Sequence, residues 1–392
     1  MSMRRWHSLT VLVLLDFLLI TTGYGTSQGA SQATRTKIET KSWDFQGHFI
    51  GYEVANEQKS KKKKEPILLL NGFGVGSFHQ HRLIPEILNR DDDQVIYGID
   101  YLGQGRSWPV DCDDGNSKSE DGLQYSADMW VEQIICFLEQ VMHADGEQKV
   151  HLVGNSVGGY LAAVVATRRP DLIASISLLN ATPVWGLNLP FWSGKLPPPA
   201  IPRKVGRYLF DRIRDLTTIE KYLEAAYANR NAFGEELMLQ IRGCTEGKGG
   251  HAAFSSILWS PPATTTNAKT FYDVLTQLQC DVLLVFGAKD PWCKPAFAKR
   301  MIQSLADRPS GYGCCRYVQL SNVGHCPNHE APQAVGKTVS LWIGATGDRR
   351  EISLLDGKTE VFHEDWGDVE AKELGADEIK ASLVDTLAAT FV

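Results

Sequence analysis

Gly154-Asn155-Ser156-Val157-Gly158 is the stretch of this sequence that decides the fold. It comes directly after an apolar run, residues 149–154, and directly before a helical pattern, residues 157–167. A turn that passes so sharply from strand to helix leaves room only for glycine at the flanking positions, and it raises the serine hydroxyl above the carboxyl end of the sheet. The segment therefore predicts a nucleophilic serine at Ser156.

Short apolar runs bounded by turn residues recur on both sides of this segment. Helical patterns lie between them, for example at 125–142. Continuous apolar strands that alternate with helices are typical of a buried parallel sheet with right-handed crossovers. The predicted fold class is therefore α/β, a mostly parallel sheet with helices on both faces, preceded by a hairpin that turns at Gln46-Gly47. The strand predictions are 66–72, 94–100, 149–154, 173–181, 281–287 and 316–320, and the hairpin prediction is 41–55.

A serine hydroxyl needs a histidine to remove its proton and an acid to orient that histidine. In this kind of fold the acid and the histidine follow the serine in that order, each on a loop beyond the carboxyl end of a strand. Asp290 follows strand 281–287, whereas Asp281 begins that strand and would lie at the wrong end. His325 follows strand 316–320, and His329 is the alternative base. We predict Ser156, Asp290 and His325 as the catalytic residues.

The oxyanion of an acyl-transfer intermediate requires two backbone N–H donors aimed at one point. Val157 should supply one donor, and Phe73, in the loop after strand 66–72, should supply the other. The same loop begins a G-x-G pattern at Gly72, but Ser77 occupies the third glycine position, so the dinucleotide fingerprint fails. Zinc-ligand spacing is also missing from the cysteines and histidines. We therefore predict no cofactor and no metal.

Composition limits the other classes of function. Of the 392 residues 43% are hydrophobic and 22% charged, which is enough apolar material for a full core. The formal net charge is −6 and no basic stripe is present, so nucleic-acid binding is excluded. A basic loop at 59–64 is a solvated connection or, alternatively, a contact to anionic lipid.

The amino terminus is interpreted as a targeting leader covering residues 1–41. Arg4 and Arg5 precede an apolar run at 9–22 and a tail of small residues, the pattern of a signal peptide. Residues 26–41 are rich in Ser, Thr and Gln and hold one acidic residue, which is typical of a transit segment. This order resembles the two-part leader of algae whose plastid lies inside the endomembrane system. It predicts plastid entry through the secretory route; secretion or residence in the endoplasmic reticulum is the alternative.

The rest of the chain divides into four further segments. After Pro183 the strand–helix rhythm stops, and a helical stretch at 204–228 lies among Pro-rich and Gly-rich sequence, which indicates a mainly helical lid inserted over the sheet. Residues 348–392 carry 12 acidic and 5 basic side chains, and Ile379, Leu383, Leu387 and Phe391 have helical spacing. The predicted segments are a hydrolytic core at 42–183, the lid at 184–270, the second part of the core at 271–346 and an acidic extension at 347–392.

These motifs, in this order, resemble the α/β-hydrolase superfamily and, within it, the pheophytinase-like branch that removes phytol from chlorophyll derivatives. Asn71 and Val157 depart from the residues usual in that branch. The stretches that carry the resemblance are Asn71-Gly72-Phe73-Gly74-Val75-Gly76-Ser77-Phe78-His79, Gly154-Asn155-Ser156-Val157-Gly158-Gly159-Tyr160, Leu178-Leu179-Asn180-Ala181-Thr182-Pro183-Val184-Trp185-Gly186, Lys289-Asp290-Pro291-Trp292 and Gly324-His325-Cys326-Pro327.

The resemblance implies an α/β-hydrolase fold and a serine esterase that acts on the phytyl ester of pheophytin or chlorophyll. Beside it, the residues themselves indicate a hydrophobic, membrane-dissolved ester, because large apolar side chains gather at the start of the lid and next to the acid. The predicted substrate-binding residues are Trp185, Phe191, Trp192 and Trp292. These aromatic residues could instead bury the lid on the core. A different lipid ester, a thioester, or ligand sensing without catalysis is also compatible with the sequence, and peripheral membrane contact is a further expectation.

Overall fold

The structure, a computed structural model, describes residues 37–58, 64–109, 112–113, 116–117, 125–186, 189–192, 198–247, 250–263, 265–345, 348–375 and 378–379. Most of the predicted leader and most of the basic loop at 59–64 lie outside these ranges. Within them, no helix combines the length and the apolar character needed to cross a membrane.

Ten strands of the described residues form one sheet, in the order β1-β2-β4-β3-β7-β8-β9-β10-β12-β11. The six strands from β4 to β10 are parallel, and an antiparallel pair extends the sheet at each edge. The strands are β1 (Ile38–Phe45), β2 (His48–Ala55), β3 (Ile67–Leu70), β4 (Ile96–Ile99), β7 (Val150–Asn155), β8 (Ile173–Leu179), β9 (Asp281–Gly287), β10 (Cys315–Leu320), β11 (Thr359–Glu364) and β12 (Gly367–Glu373); a separate pair is β5 (Cys112–Asp113) and β6 (Asn116–Ser117).

The predicted α/β architecture is confirmed, because each apolar run forms a strand buried on both faces. In β3, Leu68 and Leu70 contribute to one hydrophobic cluster, whereas Ile67 and Leu69 contribute to the other. The helices are α1 (Leu83–Leu88), α2 (Ala127–Gln140), α3 (Val157–Arg168), α4 (Ala200–Ile213), α5 (Leu216–Ala226), α6 (Glu235–Gly243), α7 (Gly250–Trp259), α8 (Phe271–Thr276), α9 (Pro295–Ala306), α10 (Pro327–Glu330) and α11 (Pro332–Gly344). Helices α2 and α3 pack on one face of the sheet, and α1 and α11 pack on the other.

The segment expected to be a lid contains α4 to α7 and no strand among its described residues. The stretch predicted to be helical at 204–228 is helical and contains most of α4 and all of α5. Helix α4 ends before Arg214, and the Asp215 side chain accepts a hydrogen bond from the N–H of Thr217, which caps α5. Ile219 and Leu223 of α5 belong to a third hydrophobic cluster, which also includes Cys326, the residue after His325.

The structure of the acidic extension, predicted at 347–392, differs from a separate segment, because part of it belongs to the main sheet. Residues 359–373 form the hairpin β11–β12, which pairs antiparallel with β10 and completes one edge of the sheet. The Nε of Arg316, on β10, pairs with Glu373 at the end of this hairpin. Of the residues with predicted helical spacing, Ile379 is buried against the core, and Leu383, Leu387 and Phe391 lie outside the described residues.

The hairpin should therefore contribute to the stability of the whole domain. Phe362 is 6% exposed and packs in the core, whereas its neighbour Val361 is 50% exposed on the other face of the same strand. Phe362→Ala should lower the free energy of unfolding by about 3 kcal/mol because it leaves a cavity. Val361→Ala, the matched control, should change it by less than about 0.5 kcal/mol. Urea denaturation measures both values, and equal effects would contradict an integrated hairpin.

Candidate active site

The turn that carries Ser156 is set by close backbone contacts. A Cβ atom added at Gly154 would lie 2.4 Å from the carbonyl oxygen of Gly158, and one added at Gly158 would lie 2.3 Å from that of Leu70. Neither position therefore accepts a side chain. Ser156 itself has φ 54° and ψ −118°, a conformation that costs a non-glycine residue energy and that the tight packing around it maintains.

Three side chains that are far apart in sequence meet above this turn. The Oγ atom of Ser156 lies 2.9 Å from Nε2 of His325, and Nδ1 of His325 lies 2.7 Å from Oδ2 of Asp290. All three are buried. If Nδ1 carries the proton donated to Asp290, Nε2 is left to accept the proton of the serine hydroxyl. The arrangement can activate the hydroxyl as a nucleophile.

The structure keeps Asp290 ionised and fixed. Its Oδ1 accepts hydrogen bonds from the N–H groups of Trp292 (2.8 Å) and Cys293 (3.0 Å), and its Oδ2 accepts one from Nδ2 of Asn180 (2.7 Å). Burial raises the pKa of the Asp290 carboxyl, but His325 and the two N–H groups lower it, so that this pKa lies below its ordinary value. The carboxylate can therefore stabilise an imidazolium at His325.

The loop that carries His325 is held from two sides. The N–H of His325 donates to the carbonyl oxygen of Ala226, at the end of helix α5, with a distance of 2.7 Å. Its own carbonyl oxygen accepts a hydrogen bond from Nδ2 of Asn155, the residue before the serine, with a distance of 2.9 Å. A Cβ atom at Gly324 would lie 2.1 Å from the Ala226 oxygen, so the glycine permits this approach.

A buried carboxyl group supports the same loop from below. The N–H of Gly324 donates to Oε1 of Glu330 (3.0 Å), and the N–H of Ala228 reaches both of its oxygens (3.1 Å each). Burial raises the pKa of Glu330 to about 8, although these N–H donors favour the carboxylate. Glu330 thus links the histidine loop to the residues that follow α5.

The loop with Phe73 lies against the serine. A Cβ atom added at Gly72 would be 3.4 Å from Cβ of Ser156. Nδ2 of Asn71 donates to the carbonyl oxygens of Gly72 (3.0 Å) and Val75 (2.9 Å) and so fixes the loop. Val157 is the first residue of α3, where the N–H has no partner within the helix. The oxyanion-hole roles of Phe73 and Val157 stay predictions.

The comparisons with known proteins fit this geometry. The profile of the Alpha/beta hydrolase family matches residues 67–338. The chain belongs to the alpha/beta hydrolase family. The fold is also similar to that of a thermophilic esterase from Thermogutta terrifontis (TM-score 0.54, 18% identity, 79% of this chain and 98% of that one) and to that of a meta-cleavage product hydrolase from Pseudomonas fluorescens IP01 (TM-score 0.55, 17% identity, 76% and 96%). Together these similarities identify this chain as a serine-type hydrolase.

Two curated relatives differ in the reactions that their names imply. The chain is 30% identical over 340 residues to a protein named "Pheophytinase, chloroplastic" from Arabidopsis thaliana. The matched region covers 76% of this chain and 65% of the relative. The chain is 26% identical over 269 residues to a proline iminopeptidase from Lactobacillus acidophilus, which covers 66% of this chain and 85% of the relative. The chain thus spans less than two thirds of the pheophytinase.

Of the aromatic residues predicted to bind substrate, one lies at the active site. The ring centroid of Trp292 lies 4.8 Å from that of His325, in an edge-to-face arrangement. The same Trp292 ring stacks on the ring of Tyr222, with the centroids 4.7 Å apart. Trp185 is buried in the core, where its Nε1–H donates to Oγ of Ser260, and its role in substrate binding stays a prediction. Phe191 is fully exposed and Trp192 half-buried, so their role stays a prediction.

His329, the alternative base, lies in a different group of the hydrolase. It stacks on His79 with the ring centroids 4.9 Å apart, and its Nδ1 lies 3.1 Å from the Tyr227 hydroxyl. Burial lowers the pKa of His329 well below its ordinary value. Among the described residues, one group with metal-ligand chemistry was found, Asp290, Cys293 and His325, whose ligand atoms lie within 4.8 Å of one another. Asp290 and His325 already bind each other, and burial raises the pKa of the Cys293 thiol, so the set suits a metal poorly.

The sequence analysis missed three residues that position the site: Asn155, Asn180 and Glu330. Asn180 bridges two strands, since it donates to Asp290 and its Oδ1 accepts the N–H of Gly287 (2.8 Å). Its φ of 43° is a conformation that asparagine tolerates better than most residues. An asparagine directly after an apolar strand is the one sequence signal that could have identified it.

Glu330 should make the stability of the hydrolase depend on pH. Its pKa is about 8 in the folded chain but about 4.3 when unfolded, so the folded state holds the extra proton between these values. The stabilisation is complete below about pH 4 and is lost as the pH rises through 8. Between pH 5 and pH 9, the free energy of unfolding should fall by about 4 kcal/mol less in Glu330→Gln than in the wild type, because about three pK units separate pH 5 from the folded pKa. Urea denaturation at both pH values checks this, and parallel losses would contradict it.

Proposed function

We propose that Ser156 is the nucleophile of a carboxylic-ester hydrolase, with His325 as its general base and Asp290 as the orienting acid. The observation that carries the proposal is the continuous contact from Oγ of Ser156 through the imidazole to the carboxylate, at 2.9 and 2.7 Å. His325 removes the hydroxyl proton as Oγ attacks the ester carbonyl. The N–H groups of Phe73 and Val157 bind the oxyanion that forms.

The reaction then completes in three proton transfers, all of them through His325. When the tetrahedral intermediate collapses, His325 gives its proton to the leaving alcohol, and the acyl group stays on Ser156. A water molecule that His325 deprotonates attacks this acyl-enzyme. As the second tetrahedral intermediate collapses, the acyl–Oγ bond breaks, His325 returns the proton to Oγ of Ser156, and the acid is released. The hydrogen bond that the His325 N–H donates to Ala226 and the one that its carbonyl oxygen accepts from Asn155 keep the imidazole in place through both steps.

For the substrate we propose the phytyl ester of a chlorophyll derivative. The similarity to the Arabidopsis pheophytinase, with 76% of this chain covered, supports this choice. The aromatic pair Trp292–Tyr222 beside His325 supports it too, because it offers apolar surface at the reacting centre. The relative is named chloroplastic, and together with the leader-like residues 1–41 this supports plastid entry through the secretory route.

A second candidate is cleavage of an amino-terminal proline. Several proline iminopeptidases are 24–26% identical to this chain. Such an enzyme must bind a free amino group, whereas the side chains stacked beside His325 are aromatic. Cleavage of a different lipid ester or of a thioester would use the same three catalytic residues.

Ser156→Ala should abolish turnover without unfolding the protein, because it removes only the attacking hydroxyl. We expect kcat to fall by roughly 10⁴ to 10⁶, measured on a soluble nitrophenyl ester. Ser177→Ala is the matched control, since Ser177 is a buried serine on the adjacent strand β8 whose hydroxyl has no hydrogen-bond partner among the described residues. This control should retain activity. Undiminished activity in Ser156→Ala would discard the nucleophile assignment.

A substrate panel separates the two candidates. Purified protein should hydrolyse pheophytin or chlorophyll with a higher kcat/KM than a galactolipid, an acyl thioester or prolyl nitroanilide, because the phytyl ester fills an apolar site. Pigment and product are separated by chromatography, and Ser156→Ala serves as the blank. Preferential cleavage of prolyl nitroanilide would establish the peptidase instead.

A further inference from the structure

Helix α4 of the lid presents an apolar face to the outside. Ile201, Val205 and Tyr208 are 76%, 43% and 54% exposed. They follow one another at intervals of four and three residues, so they lie along one side of the helix and cover about 10 Å of its length. Large apolar side chains in such a row are costly in water unless they meet a partner surface.

The helix is attached to the protein by its opposite side and cannot rotate to bury this row. Gly206 faces α7 so closely that an added Cβ atom would lie 1.6 Å from Oγ of Ser255. Phe210, one turn further along the same side, is buried against Phe254 with the ring centroids 5.8 Å apart. The outward direction of Ile201, Val205 and Tyr208 is therefore fixed.

Basic side chains border the apolar row. Ala200–Ile213 contains four basic residues and one acidic residue, in a chain whose net charge is −6. Lys204, Arg207 and Arg212 are exposed, and none of them forms an ion pair with any of the acidic side chains that the structure describes. The guanidinium of Arg212 lies 5.1 Å from the ring centroid of Tyr208 and so joins the charged border to the apolar row.

We propose that this face of α4 docks on a lipid bilayer that contains anionic lipids. An amphipathic helix with apolar side chains on the outside and Lys and Arg along the border is suited to the interface, where the apolar groups enter the acyl boundary and the cations meet lipid phosphates. The cations of this border complement the negative charge of lipid phosphates, and this favours an anionic bilayer as the surface that covers the apolar row.

Docking there would bring the membrane close to the catalytic residues. The ring of Phe254, which packs on Phe210 of α4, lies 5.7 Å from the ring of Phe73 in the loop beside Ser156. Aromatic side chains therefore connect the docking helix with the active site. Delivery of a membrane-dissolved ester along this path rests on the proposed function, whereas the docking itself does not.

Vesicle co-sedimentation of the full chain tests the docking. The wild type should bind phosphatidylcholine vesicles that contain phosphatidylglycerol, bind vesicles of phosphatidylcholine alone weakly, and lose binding in high salt. The triple variant Ile201→Ser, Val205→Ser, Tyr208→Ser and the double variant Lys204→Glu, Arg207→Glu should each bind the anionic vesicles at least about tenfold more weakly. Phe49→Ser, which removes an exposed apolar side chain from strand β2, is the matched control and should bind like the wild type.

Each different outcome overturns the proposal. Equal binding by the triple variant and the wild type would show that another surface contacts the lipid. A wild type that ignores vesicles but dimerises in light scattering, with a monomeric triple variant, would assign the face to a second copy of the chain. The variants should keep wild-type rates on a soluble nitrophenyl ester. Because Ser156→Ala should still bind vesicles, failure of the esterase proposal and failure of the docking proposal are distinguishable.

Discussion

The site depends on how closely the backbone of the Ser156 turn approaches its neighbours. Gly154 and Gly158 contact each other and the end of β3 at distances that admit no side chain, and Ser156 is held at a positive φ as a result. The same approach of backbones recurs at the histidine loop, where a Cβ atom at Gly287 would lie 2.2 Å from the carbonyl oxygen of Gly324. These contacts bring three loops together over one sheet edge, and hydrogen-bond distances between the three side chains follow from them.

Much of this could be predicted from the sequence, because the strands of a buried parallel sheet are continuous apolar runs. The strand Asp281–Gly287 has the bounds that were predicted, and the hairpin turn at Gln46-Gly47 has positive φ at both residues, as its composition indicates. The order of serine, acid and histidine along the chain then fixed which residues could meet, since each follows the carboxyl end of a strand. The structure brings Ser156, Asp290 and His325 together as that order requires.

What could not be predicted depends on contacts between distant segments. The hairpin Thr359–Glu364 and Gly367–Glu373 is rich in charged residues because one of its faces meets solvent, so its composition indicated a separate acidic extension. Trp185 belongs to the core through Ser260, a partner that sequence spacing does not reveal.

The positioning roles of Asn155 and Asn180 arise from hydrogen bonds to other loops. The contact between α5 and the histidine loop is of the same kind, since the carbonyl oxygen of Ala226 accepts a hydrogen bond from the N–H of His325.

The central claim is that His325 activates the hydroxyl of Ser156. Its most direct test is the rate at which a fluorophosphonate modifies the protein, with the modified peptide identified by mass spectrometry. The account predicts a single adduct, on Ser156. The adduct should form at least about 10³-fold more slowly in His325→Ala. A variant of His363, an exposed histidine on the edge strand β11, is the matched control and should react at the wild-type rate. Modification of another residue, or equal rates in the wild type and His325→Ala, would contradict it.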